Sequence, residues 1–162
     1  MPDSGSTYDT ITRLTAFNAI EAAVEYATSS TQGLDAAPLP FCFTSAAEAG
    51  WPEMAGGSFI ENTLAPDFLR RYLKAKRVVE EKLLSSEPPL RPIIVRPSLI
   101  YTMDRPASFP AVGAFFVGNR VGLPFVDQPV SVQSLANAMV RSMDRPDVRG
   151  VLRYQEINAL NE

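Results

Sequence analysis

The sequence predicts an α/β protein whose parallel sheet is a partial, doubly wound one. Three observations lead there. Helix-like and buried-strand-like segments alternate along the chain, the pattern that crossover helices between parallel strands require. The strand-like segments are continuously apolar rather than alternating, as strands covered on both faces are. Only two of them stand out in the 162 residues, with a third in question, whereas doubly wound sheets ordinarily hold five or more.

Taken in order, Ile11, Leu14, Phe17, Ile20, Ala23 and Val24 recur at three- and four-residue steps and predict an amphipathic helix from Tyr8 to about Thr28. A polar connection containing Gly33 and Pro38 leads to Leu39-Pro40-Phe41-Cys42-Phe43-Thr44, a run of strand length that ends in Ser45, Ala46 and Ala47. Glu48 to Thr63, with its glycines and Trp51, reads as an irregular loop. Pro66 suits a first helical position and Asp67 its first turn, so a helix starts there. Its apolar stripe reads Phe68, Leu69, Tyr72, Ala75, Val79 and Leu83, and Arg77 and Glu81 are spaced for a weak ion pair. That helix ends before Pro88-Pro89. Arg91 to Tyr101 is β-branched and interrupted by Arg96-Pro97, a strand running into a loop. Residues 102–130 are rich in Pro, Gly and Phe and show no period. Val132, Leu135, Met139, Val140 and Met143 mark a short helix, and Arg149 to Ile157 reads as a last strand or an extended tail.

Composition excludes several chemistries. No histidine is present, which removes Ser-His-Asp and Cys-His nucleophile systems. A single cysteine, Cys42, can form neither an intrachain disulfide nor a cysteine zinc site, and its apolar neighbours point to a buried, inert thiol. Scattered carboxylates predict no metal. A net charge of −3 without a Lys/Arg cluster predicts no nucleic acid, and no apolar run reaches the roughly 18 residues of a membrane span. The first six residues are neither basic nor apolar, unlike a secretory or Arg-rich transit signal. One domain, 1–162, is expected, with a core over 8–101 and a substrate-side or interaction region over 102–162.

Chemistry concentrates in few places. Tyr72 and Lys76 stand four apart on one helix face. An ammonium beside a phenol favours the phenolate and makes tyrosine usable as an acid/base near neutrality. Ser45, at the end of a strand, falls at the edge where α/β sheets place ligands, and its hydroxyl could bind the oxygen that Tyr72 protonates. Read alone, Tyr72 also suits a core stripe and Lys76 a solvated surface.

The ordered segments Phe43-Thr44-Ser45-Ala46, Tyr72 to Glu80 and Ile93 to Tyr101 resemble the second half of extended and atypical short-chain dehydrogenases/reductases. In that family a serine-bearing strand, a Tyr-x-x-x-Lys helix and an Arg-Pro-containing strand follow in this order. Asn18 to Ala23 resembles the family's helix just upstream, and Gln128 to Val132 the segment that opens a late helix. Within the family the likeness is to two mitochondrial branches, a group associated with ubiquinone biosynthesis and the NADPH-binding accessory subunit of respiratory complex I. Arg105-Pro106 and the Pro146-to-Leu152 ending favour the former.

The resemblance implies a Rossmann-like fold, Ser45 as the hydroxyl near the substrate, Tyr72 as the acid/base, and Lys76 as its partner and a ribose contact. Pro97 and Ser98 would lie beside the nicotinamide of NAD or NADP, and the protein would be mitochondrial. The chain departs from the family in having no glycine-rich phosphate loop, and Gly56-Gly57 lacks the spacing and follows no strand. About four strands of such a sheet, those of the N-terminal dinucleotide-binding half, are expected to be absent with it. Three explanations compete: a separate polypeptide supplies them, the chain is a degenerate scaffold in an assembly, or the sequence is an incomplete record of a longer reductase. An open sheet edge predicts an obligatory protein partner in each case. Two functions follow: an accessory subunit of a mitochondrial quinone-linked assembly, or an NAD(P)-dependent oxidoreductase completed from elsewhere. Phe109, Phe115, Phe116 and Phe125 are expected to pack over the sheet or a partner, with a quinone- or lipid-facing surface as the alternative.

Overall fold

The computed structural model describes residues 9–29, 37–102, 104, 109–122 and 126–161. It is an α/β fold built on two small parallel sheets. A π-helical segment, Asp9–Leu14, runs into α1 (Thr15–Ser29). Then come β1 (Leu39–Thr44), a 3₁₀ helix (Ala47–Glu53), α2 (Gly57–Leu64) and α3 (Asp67–Leu84). After β2 (Leu90–Val95) follow β3 (Ile100–Tyr101), α4 (Phe109–Arg120), β4 (Val130–Ser131), α5 (Val132–Asp144), β5 (Gly150–Leu152) and α6 (Tyr154–Ala159).

The main sheet has the order β1-β2-β5, all parallel, and β3 pairs with β4 in parallel beside it. β2 is central and buried at all six positions, which explains its continuous apolar sequence. Its pleat divides the core. Leu90 and Ile94 pack with Ile20, Val79 and Leu83 of α1 and α3. Ile93 and Val95 face the other way, onto Leu135 and Ala138 of α5 and Ile157 of α6. The three strands are thus covered on both faces by helices, the arrangement expected of a partial doubly wound sheet.

Proline marks where the sheet stops. The amides of Leu39 and Ser45 bond to Pro89 and Val95 on the β2 side, so odd-numbered β1 residues donate inward and Pro40 turns its missing donor outward. β1 pairs only with β2 among the described residues, and that outward side is the open edge. In β2 the Arg96 amide bonds to Leu152, so the N side of Pro92 faces β5, but β5 begins pairing only at Ile93. No ladder bond is lost at either proline.

Several expectations are corrected. The segment 48–63 is not an irregular loop: a 3₁₀ helix and α2 fill it, turning through Gly56 at φ 79°. A helix of eight residues that opens on Gly57, just after Gly56, is too short to show an apolar period. The stripe on α3 is shifted, since Phe68 is 58% exposed while Leu73, outside the stripe, is fully buried. Arg77 does not pair with Glu81 but forms a bidentate pair with Glu61 of α2, at 2.6 and 3.0 Å. The neighbouring helix offers a better-held carboxylate than the next turn of α3. Residues 102–130 contain α4, hidden by its nearly uniform apolar composition. Ile100 and Tyr101 do not continue β2; they start the second sheet. Arg149 to Ile157 is neither strand nor tail alone but β5 followed by α6. Tyr8, Arg105, Pro106 and Phe125 lie outside the described residues, as does the side chain of Phe109.

Candidate functional site

The carboxyl ends of β1 and β2 meet at one edge, and the backbone there is tied together beyond the strands. The Ser45 amide donates to the Val95 carbonyl at 2.7 Å, and Ala47 to the Pro97 carbonyl at 2.9 Å. Parallel strands ending side by side leave a crevice between their following loops. Here the crevice is a cleft of about 680 Å³ whose wall includes Ser45, Tyr72, Pro97 and Ser98. That volume lies in the range of small-molecule sites, about 300–1,000 Å³. Four of the five residues singled out in the sequence are therefore brought to one place.

Two of them carry an unmet polar demand. The hydroxyls of Ser45 and Ser98 are buried and have no hydrogen-bond partner among the described residues. A buried hydroxyl without a partner costs about 1–3 kcal/mol, and such groups are rare in folded proteins. Both residues also line the cleft.

Lys76 does not line the cleft. It sits beneath it, donating to the Thr44 carbonyl at 2.6 Å, with its ammonium 4.8 Å from the Phe43 ring centre and 5.4 Å from that of Tyr72. Burial lowers its pKa, and the Glu80 carboxylate opposes that shift. The ammonium thus lies on the aromatic face of Tyr72 while fixing the strand end that carries Ser45.

A second constellation escaped the sequence. Arg96, 5% exposed, holds Glu80 of α3 through two bonds of 3.0 and 2.6 Å and Glu53 of the 3₁₀ helix through two of 3.0 and 2.8 Å. Arg153, which opens α6, also reaches Glu53 at 3.1 Å. One guanidinium therefore ties the end of β2 to α3 and to the 3₁₀ helix. Glu53 is held below its ordinary carboxylate pKa, chiefly by the Arg96 hydrogen bonds. Gly50 lies against these two arginines: a Cβ there would meet Arg153 Nη2 at 2.8 Å and Arg96 Nη1 at 2.9 Å.

The sequence also gave no warning of Glu48, which lines the cleft beside Trp51. Its carboxyl is pushed up by burial, with a smaller contribution from Asp127. The available signal was position: residues just past a strand's carboxyl end fall at the ligand edge. Phe115 lines the cleft as well, while Phe116 is 43% exposed.

The chain is similar to MIOREX complex component 2 of Saccharomyces cerevisiae, 28% identical over 100 residues. That alignment covers 53% of this chain and 36% of the yeast protein, so the chain spans about a third of its relative's length. The relative is thus a component of a protein complex. No family model matches the chain, and no solved structure does. Among the described residues no helix is long and apolar enough to cross a membrane.

Proposed function

We propose that this chain is a component of a mitochondrial, quinone-linked protein assembly, built on the substrate- and nicotinamide-side half of a short-chain dehydrogenase-like fold. The observation that carries the reading is the convergence of Ser45, Tyr72, Pro97 and Ser98 on one cleft at the carboxyl ends of the strands. Membership in an assembly is supported by the similarity to a complex component and by the outer side of β1, which has no strand partner among the described residues.

A dinucleotide fits these residues in part. Unpartnered hydroxyls at Ser45 and Ser98 suit the amide and carbonyl oxygens of a nicotinamide and a substrate. The sequence has no glycine-rich loop to receive the pyrophosphate. That grip would come from outside these 162 residues, across the β1 edge. A bound NAD(P) would supply hydride transfer. Of this chain's own residues, Ser45 would orient a substrate oxygen and Tyr72 would exchange a proton with it. Lys76, over the Tyr72 ring, would favour the phenolate electrostatically.

An active oxidoreductase is the second reading, favoured by the closeness of Lys76 to Tyr72; an accessory role needs only nucleotide binding. Calorimetric titration with NADPH and NADH separates them, on the chain alone and on the assembly purified through a tag on this chain. Binding only in the assembly is expected. Absence of binding in both would overturn the nucleotide site, and turnover abolished by Tyr72→Phe would select the oxidoreductase.

A further inference from the structure

One charge stands on the cleft wall, and no cation among the described residues answers it. Of the described lining residues Glu48 alone is charged, and no lysine or arginine is among them. Glu48 is only partly buried, so some of its surface stays open, and it forms no ion pair among the described residues. Burial raises its pKa, a hydrogen bond from its own backbone opposes that, and the Asp127 carboxylate adds to the rise. That is the direction taken by a carboxylate short of positive neighbours. The nearby cations are committed elsewhere: Lys76 donates to the Thr44 carbonyl, and Arg96 and Arg153 hold Glu53. Three aromatic side chains, Trp51, Tyr72 and Phe115, share the wall. The Tyr72 ring already carries the Lys76 ammonium at 5.4 Å, and like charge repels a second cation from it.

We infer that this cleft binds an organic cation, an ammonium group on an apolar body, with the ammonium against Glu48 and Trp51 and the body along the aliphatic wall. The inference deepens the proposed function by naming the ligand class of the same site, and it rests on that reading for what the cleft is used for. A carboxylate in a largely apolar cleft gains most from a partner of opposite charge, and a cation there also relieves its repulsion with Asp127. Indole is the best of the aromatic faces for an ammonium, so Trp51 and Glu48 favour the same charge. An anion would meet Glu48 with no counter-charge on the wall, and a neutral molecule would leave the carboxylate as it is. The apolar body follows from the rest of the lining, where Ile60, Leu64, Leu69 and Ile100 lose water only against an apolar group.

The test uses the assembly purified through a tag on this chain and three probes of one shape, 4-phenylbutylamine, 4-phenyl-1-butanol and 4-phenylbutyrate, followed by saturation-transfer NMR and competition. At neutral pH the amine is expected to bind at least about tenfold more tightly than the alcohol, with the carboxylate weakest. Glu48→Gln should bring the amine down to the level of the alcohol, whose own binding reports an intact cleft. Equal binding of amine and alcohol to the wild type overturns the inference without recourse to any variant, and so does the absence of amine binding. A preference for the amine that survives Glu48→Gln overturns it as well, because the cation then sits elsewhere in the assembly. NADPH titrated into the same sample reads the proposed function separately. A Glu48-dependent preference for the amine without NADPH binding leaves this inference standing alone, and the reverse leaves the nucleotide site standing alone.

Discussion

Arg96 holds two carboxylates on one guanidinium, and its value depends on which partner is removed. Glu80 and Arg96 are both 5% exposed as side chains, so removing the arginine leaves a carboxylate buried without compensation. Arg96→Ala is expected to destabilise the fold by about 3–5 kcal/mol, measured as a lower urea midpoint. Glu53→Ala should cost much less, because that carboxylate is 54% exposed and can return to water. Equal losses for the two variants would refute the assignment of Arg96–Glu80 as the buried pair. Cys42 makes a second prediction. Burial raises its thiol pKa from 9.0 to about 11, so at pH 8 it carries about a hundredfold less thiolate than a free cysteine. Iodoacetamide should alkylate it slowly in the native protein and at the ordinary rate in urea. The sign for stability follows: the folded state favours the neutral thiol. Its contribution is complete below pH 9 and is lost as pH rises toward 11, and Cys42→Ala should flatten that part of the alkaline limb.

Among the elements, the joint between the 3₁₀ helix and α2 is the most constrained. A Cβ on Gly57 would overlap the Trp51 carbonyl, and the backbone of neither residue can move without displacing the cleft wall. Gly57→Ala is expected to cost about 3 kcal/mol and to shift tryptophan fluorescence as Trp51 moves. Unchanged stability and emission would mean that the turn is looser than its geometry implies. The carboxyl end of α5 depends on a different device. Arg91, buried in β2, donates to the carbonyls of Ser142, Met143 and Val148, closing the helix and the turn after it. A cation at a helix carboxyl end interacts favourably with the dipole, and these bonds satisfy carbonyls that the helix leaves without an internal partner. β1, β2 and α5 were readable because strand runs and helical periods survive in their sequences. α2 and α4 were not, since one is too short to show a period and the other is apolar almost throughout.

For the molecule as a whole, the open side of β1 is the feature that most affects behaviour. Pro40 removes one outward donor, a known way of blunting an edge, but the pleat turns the amides of Cys42 and Thr44 the same way. In the isolated chain these two amides should exchange with deuterium much faster than those of Phe41 and Phe43, which face β2. In the native assembly they should become slow. Fast exchange at Cys42 and Thr44 in both samples would mean that no strand covers this edge.

By itself the sequence determined the alternation of helices and buried strands, the parallel order of β1 and β2, and the residue types that gather at their ends. These follow from local periodicity and from rules of chain connection, which short stretches of residues carry. Only the tertiary structure decided that Ser45, Tyr72 and Ser98 share one cleft, that Lys76 lies beneath it, and that Glu48 is the charge inside it. It alone decided that Arg77 pairs with Glu61 and that Arg96 joins Glu53 to Glu80. Such partnerships depend on which helix packs beside which, and on how deeply each charge is buried. Packing of distant segments sets both, and no local pattern records it.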